Sequence, residues 1–305
     1  MSDDGRTALT VIAMIGNVFS PFYAARRARG PQDPLDHVTV NVALYSLAGG
    51  RLSRRRHPER WALTERGVRQ ISRDRDHLQI GRSSLERRGD LLEIHVDEIA
   101  SPLGQPIRGR IQVHPRELFQ QPYDLDRAGT HRWTPIAPAA RVEATFDDPA
   151  LRFSGHGYLD ANTGEDALER AFSSWSWSRS AAGPRGLSDH GDDAVHIAYD
   201  ARLRSGDRTT LGLAFHRDQV SEGVPRPVAL PKSRWNLPRL AHAPAGASDP
   251  RVIRTLEDTP FYARTLLESG GADPRFIVHE ELSLDRFQAP WVQFLLPFRM
   301  RREIA

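Results

Sequence analysis

The chain has 305 residues, 39% of them apolar, a net charge of +3 and no cysteine. It is long enough for two modest domains or one large β domain with a sizeable core, and the lack of cysteine excludes disulfide staples and thiolate chemistry. No apolar run approaches the roughly 18 residues of a spanning helix, and residues 11–15 follow Asp3 and Asp4 rather than basic residues, so neither a transmembrane helix nor a signal peptide is expected.

The absence of cysteine also agrees with a cytoplasmic location. The cationic side chains are almost all arginine, Lys232 being the single lysine. They are scattered, with local clusters at 26–29, 54–56 and 299–302, and form no stripe of the kind nucleic-acid binders carry, so no nucleic-acid partner is expected. Two readings of the clusters stay open: a solvated surface, or weak attraction to anionic lipid headgroups.

In chain order, the dominant signal is period two. In HVTVNVALY, Val38, Val40, Val42 and Leu44 point one way and His37, Thr39, Asn41 and Tyr45 the other, which predicts a half-buried strand. Residues 64–73 read as a charged helix with a weak apolar stripe and Gly67 inside it. Alternation returns in LLEIHVDEI (Leu92, Ile94, Val96), in AVHIAYDARL (Val195, Ile197, Tyr199, Ala201, Leu203) and in LGLAF (Leu211, Leu213, Phe215). Hairpin signals fall at Gly49-Gly50, Gly89-Asp90 and Ser205-Gly206-Asp207, glycine supplying the positive φ of a tight turn. A two-turn helix is expected at 165–172, and loops at 180–193 and in the proline-rich stretch 224–250. Many strands on short turns, without βαβ spacing, predict an all-β chain of antiparallel barrels or sandwiches with few short helices. The composition shift near 164–171 suggests two β domains, 1–167 and 168–305.

Specific chemistry concentrates in residues 154–179, SGHGYLDANTGEDALERAFSSWSWSR. Tyr158 and Asp160 share a face if their segment is extended, yet Asp and Asn before Gly164 also suit a turn. His131 and Trp133 in THRWTP likewise share a face, as a pocket pair or as an edge contact. In SWSWS both Trp175 and Trp177 project to one side, whose ordinary meaning is core. There is no His-x-His or His-x-x-x-His pair, Asp189-His190-Gly191-Asp192-Asp193 reads as a solvated loop, and no Gly-x-Ser-x-Gly elbow is present, so neither a metal site nor a serine hydrolase is indicated. The residues alone lead to a two-domain β protein with a possible aromatic-lined acidic pocket.

Six ordered segments carry a family resemblance: FSPFYAARRARG, VNVALY, RWALTERG, GYLDANTG followed by WSWSR, TLEDTPFYAR, and HEELSLDRFQAPWVQFLLPFRM. Together, over about residues 11–301, they resemble the carotenoid 1,2-hydratases, or hydroxyneurosporene synthases, of carotenogenic bacteria. The resemblance implies two lipocalin-like β-barrel domains and cofactor-free addition of water to the terminal C1=C2 bond of an acyclic carotene such as neurosporene or lycopene. Such chemistry needs an acid to protonate C2, aromatic faces over the tertiary cation at C1, and a group that deprotonates the incoming water. The family's HxW and YxD pattern then implies Asp160 as the acid, Trp133 and Tyr158 as cation-facing aromatics, and His131 as the water-orienting base. Trp175, Trp177 and Asn162 are secondary, substrate-binding candidates, while Asp258, Tyr262, Glu280 and Asp285 also fit the family and are expected to be structural. A carotene is insoluble in water, so peripheral contact with the cytoplasmic face of a membrane is expected, through the arginine clusters and exposed Phe19, Phe22 and Tyr23. A non-catalytic lipocalin-like pigment carrier and a natural-product cyclase are the competing readings.

Overall fold

The computed structural model describes residues 1–47, 58–181, 194–243, 247–269 and 275–303. The Gly49-Gly50 hairpin signal, the arginine cluster 54–56, the acidic stretch around Asp189 and most of the loop 180–193 therefore lie outside the described residues.

Strands dominate, as the alternation predicts. The first eight are β1 (Thr7–Ile15), β2 (Val38–Ser46), β3 (Arg60–Arg66), β4 (Ile71–Arg73), β5 (His77–Ile80), β6 (Ser83–Arg88), β7 (Leu91–Ile99) and β8 (Pro106–Pro115). The middle of the chain gives β9 (Tyr123–Asp124), β10 (His131–Asp148), β11 (Ala150–Gly164), β12 (Phe172–Ala181), β13 (Val195–Leu203) and β14 (Arg208–His216). Then follow β15 (Gln219–Glu222), β16 (Arg226–Leu230), β17 (Arg239–Ala243), β18 (Arg251–Asp258), β19 (Tyr262–Glu268), β20 (Phe276–Ser283) and β21 (Arg301–Glu303). The helices are short: α1 (Pro21–Arg27), α2 (Leu168–Ala171), α3 (Leu284–Phe287) and α4 (Pro290–Leu295). Gly89 and Gly206 take φ of +65° and +92° in the turns where sequence placed them.

The strands order as β1-β2-β3-β21, as β11-β10-β8-β7-β6-β5-β4 with β9 paired to β10, as β15-β14-β13-β12-β20-β19-β18, and as the hairpin β16-β17. Among the described residues the neighbouring strands are largely antiparallel, and β21 lies parallel to β3. Among the described residues no pairing closes either large sheet into a barrel. The chain divides into two compact units, residues 1–116, 139–158 and 293–305 forming one and residues 117–138 and 159–292 the other. The two long strands, β10 and β11, run through both units.

In the first unit, Val38, Val40, Val42 and Ala62 pack with Ile80, Ile94, Val96, Ile107, Ile111 and Phe146 in one apolar cluster. Strand β7 keeps the expected half-burial, but β2 does not: all nine of its residues are buried. Its polar side is covered because its groups have partners, which offsets the cost of desolvation. Asn17 donates to the Thr39 hydroxyl at 3.0 Å, Asn41 donates to the Ala62 carbonyl at 2.7 Å, and Tyr23 stacks on His37 at 4.4 Å. Helix α1 delivers that tyrosine; Ser20 caps its first turn by accepting from the Tyr23 N–H, and Pro21 supplies a preset φ. Tyr23 is consequently buried and Phe22 half-buried beneath the Arg302 guanidinium, so these rings are not the exposed contacts anticipated from sequence.

Residues 64–73 also depart from expectation. They form the end of β3, a single 3-10 turn (Val68–Gln70) and β4 rather than a helix. Pairing decides the matter: Thr64 lies opposite both Val40 and Arg301. Arg66 then enters the interior, where it meets both Glu98 oxygens at 3.1 and 2.9 Å with Ser83 donating to the same carboxylate at 2.8 Å. Burial pushes the Glu98 carboxyl up, against the hydrogen bond and charge of Arg66. The segment at 165–172 shortens to the one turn of α2 before Phe172 opens β12.

Arg66→Met strands the Glu98 carboxylate in the interior and should cost about 3–5 kcal/mol at pH 8, less at pH 5 where Glu98 can take up a proton. Arg66→Met/Glu98→Leu should recover most of the loss. Urea denaturation of both variants at the two pH values measures this.

Candidate active site

The site is built on the alternation of β12. Directly opposed residues on neighbouring strands share a sheet face. Trp177 lies opposite Tyr199 on one side and Glu280 on the other, and Glu280 lies opposite Arg264. Trp175 shares that face by period two. The intervening serines, Ser176 and Ser178, point to the other face, where both are buried.

Against the indole face sit the ends of β10 and β11 that belong to the same unit. Trp133 is fully buried, and its ring lies 5.8 Å from Tyr123 and 5.6 Å from Tyr199, while Trp175 also lies 5.6 Å from Tyr199. The Trp133 indole N–H donates to Asp160 Oδ2 at 2.9 Å. Tyr158–Gly164 is strand, not turn, and Asp160 is half-buried within it. Tyr199 is buried, and its phenol is pushed up by that burial and then by the nearby Asp160 and Glu280 carboxyls, so it keeps its proton.

His131 is 2% exposed and fixed at both ring nitrogens. Nδ1 lies 2.8 Å from Asp126 Oδ2 and Nε2 lies 3.1 Å from the Asp166 carbonyl. Each ring nitrogen thus has an oxygen partner within hydrogen-bonding distance. Burial raises the Asp126 carboxyl, but hydrogen bonds from Thr130 and His131, through side chains and backbone N–H groups, outweigh it and hold the group down at about 2. Gly164 completes the packing: a Cβ there would come within 2.7 Å of His131 Cδ2. Its small size serves close approach rather than a turn.

Of the residues singled out in sequence, the structure thus gathers Asp160, Trp133, Trp175 and Trp177 with the unforeseen Tyr199 and Tyr123. Tyr158 is half-buried on the same strand as Asp160, at the end of the other unit's stretch, and Asn162 is exposed. Glu280 accepts from Arg264 Nε at 2.8 Å, and Glu257 from Arg264 Nη1 at 2.9 Å, with the guanidinium 5.6 Å from the Tyr262 ring. Asp258 accepts from the Arg234 N–H at 2.9 Å and Asp285 pairs with Arg204 at 2.8 Å, both outside the aromatic wall. No group of three or more potential metal ligands occurs among the described residues.

Behind the wall, on the serine face, lies a buried polar network. Asp200 accepts from Arg208 Nε at 2.6 Å and lies 3.4 Å from His242 Nε2; burial opposes its ionisation, but the His242 and Arg208 contacts hold it well below the usual carboxylate range. His279 is 3.0 Å from the Ser178 hydroxyl; burial and then the His242 and Arg239 charges push it down to about 3. Burial, reinforced by Asp200, pushes Glu281 up to about 8 although it accepts from the Leu240 N–H at 3.0 Å.

The fold is all-β and sets a carboxyl group among aromatic rings. The family described as carotenoid hydratase CrtC matches residues 11–305, and the chain belongs to it. It is 46% identical over 306 residues to an acyclic carotenoid 1,2-hydratase of Thiocapsa roseopersicina, a match spanning 99% of this chain and 71% of that one. It is 39% identical to that of Rubrivivax gelatinosus, again over 99% and 71%, and 35% identical to that of Cereibacter sphaeroides, over 96% and 98%. Among solved structures, kievitone hydratase from Nectria haematococca shares the fold, with a TM-score of 0.56 at 10% identity, covering 93% of this chain and 90% of that one.

Glu281 has a raised folded-state pKa, so its contribution to stability is full below about 4.5, its ordinary value, and is lost as pH rises to about 8. Glu281→Gln keeps the acceptor for Leu240 and removes the titration. Its melting temperature should match the parent near pH 4.5 and exceed it by a few degrees, about 2–4 °C, at pH 8, as read by thermal scans across that range.

Proposed function

We propose that this protein adds water across the terminal C1=C2 bond of an acyclic carotene such as neurosporene or lycopene, without a cofactor, to give the tertiary 1-hydroxy carotenoid. Nearly full-length similarity to proteins named acyclic carotenoid 1,2-hydratase supports the substrate class. The observation that carries the chemistry is the Asp160 carboxyl, held by the Trp133 indole within the Trp133, Tyr199 and Trp175 wall. An isolated alkene is not attacked by water until it has been protonated. In this reading the Asp160 carboxyl carries the acid proton.

That proton passes to C2 and the π electrons form the new C–H bond, leaving a tertiary cation at C1. Aromatic faces stabilise such a cation by about 0.5–2 kcal/mol each when desolvated. Water then bonds to C1 through oxygen and loses a proton to the Asp160 carboxylate, which restores the acid. Asp160 accordingly serves as acid and then as base. His131, with both ring nitrogens engaged, is read as a positioning residue that ties Asp126 to the Asp166 backbone beside Trp133 rather than as the water base anticipated from the family pattern. Tyr158, Trp177 and Asn162 are kept as candidates for the approach of the polyene.

The lipocalin-like reading of the two domains rests on the resemblance and on the antiparallel meanders. The insolubility of the substrate supports a peripheral position at the cytoplasmic face of a membrane. A pigment carrier would use the same aromatic wall but has no need of a carboxyl inside it, and family membership argues against a cyclase.

Asp160→Asn, which retains an acceptor for the Trp133 N–H, should lower turnover at least 10³-fold, about 4 kcal/mol in barrier, while carotene binding persists. Wild-type turnover in this variant defeats the assignment. Incubation in deuterated water should place one deuterium at C2, detected by mass; an unlabelled alcohol rules out initial protonation.

A further inference from the structure

The polar and apolar surfaces of the first unit are not evenly distributed. The run Phe294-Leu295-Leu296-Pro297-Phe298 spans the end of α4 and the 3-10 turn after it, and Phe294 and Phe298 are 69% and 70% exposed, with Leu295 at 42%. The two phenyl rings meet edge to face at 5.6 Å, so they form one apolar knob instead of two isolated side chains. The chain that follows is anchored. Met300 is buried with its sulfur accepting from Asn17 at 3.6 Å, and Arg301–Glu303 adds to the sheet as β21. The knob is therefore held out from a fixed base, and surrounding cations accompany it: Arg299 stacks over Trp61 at 4.1 Å, and Arg299 and Arg301 are both exposed. Between Asp285 and Glu303 the sequence contains four arginines and no acidic residue.

We infer that this knob, Phe294, Leu295 and Phe298 flanked by Arg299 and Arg301, is the surface through which the protein docks onto an anionic phospholipid bilayer. Contiguous exposed apolar side chains are unfavourable in water, and aromatic rings bordered by arginine match the chemistry of the headgroup boundary, where rings enter the upper acyl region and guanidinium groups meet lipid phosphates. No helix among the described residues is long and apolar enough to cross a membrane. The surface keeps the arginine cluster 299–302 indicated by sequence and replaces Phe19, Phe22 and Tyr23 as its apolar part. This rests on the hydratase reading only for its purpose, which is access to a carotene dissolved in the bilayer.

The test is co-sedimentation of the whole protein with vesicles of phosphatidylcholine alone or mixed with phosphatidylglycerol, paired with turnover of lycopene presented in vesicles or in detergent micelles. The wild type should pellet with the anionic vesicles and weakly with the neutral ones. Phe294→Ser/Phe298→Ser and Arg299→Gln/Arg301→Gln should each pellet at least about ten-fold less with anionic vesicles, and should lose vesicle turnover while micelle turnover is retained. Unchanged melting temperatures show that these exposed substitutions leave the fold intact. Wild-type pelleting by both variants overturns the inference, as does a fall in oligomeric mass by light scattering without a change in pelleting, which would make the knob a contact between copies of this chain. If turnover is absent in both formats while the variants still lose pelleting, the docking surface stands and the hydratase reading fails.

Discussion

The hydrogen bond from the Trp133 indole to Asp160 is the constraint on which the site depends. On the proposed mechanism Asp160 acts as an acid, so it must be held in place where it can keep its proton. An indole N–H meets this requirement because it satisfies one oxygen through a neutral dipole and brings a large apolar body with it. Within the same unit Asp200, paired with Arg208, and Asp126, surrounded by donors, are held low and suit structural roles. Everything that orients Trp133 thereby bears on Asp160, including the His131 clamp two residues away and the Tyr123 and Tyr199 rings against the indole.

The seven-stranded sheet supports this by separating two kinds of chemistry. Its β12 strand sends indoles to one face and serines to the other, so bulk and aromaticity collect where the carboxyl lies. On the opposite face small hydroxyl groups leave room for β17 and its His242 and Arg239 to approach Asp200, His279 and Glu281. Buried polar groups of that kind add little net stability, but their fixed geometry disfavours slippage of the strands that carry Trp177, Tyr199 and Glu280. A one-residue slip of β12 would exchange serines for tryptophans across both faces.

Much of this was legible in the chain and some was not, for identifiable reasons. Period-two runs located β7, β13 and β14 because strand periodicity is a local property. Residues 64–73 misled because their charges resemble a helix surface, whereas Arg66 is drawn inward by a partner 32 positions away. Strand β2 looked half-buried because its polar residues gave no hint that Tyr23, Asn17 and the Ala62 carbonyl would cover them. Tyr199 was visible as a core-facing residue, but nothing local could say that its neighbours would be Trp133, Trp175 and Asp160. Asp126 stood only five residues before His131 with a threonine between them, a signal that could have been read as a turn tying down the imidazole.

Sequence by itself determined the all-β class, the family, and the pairing of large and small side chains along β12, because these depend on residue type and spacing within single segments. Only the tertiary structure decided which groups became partners: that Trp133 would donate to Asp160, that both nitrogens of His131 would be consumed, and that Phe294 and Phe298 would stay exposed while Tyr23 became buried. Such outcomes depend on distances between residues far apart in the chain. A side chain's hydrogen-bonding capacity is written in its identity, but the partner that uses it is set by packing.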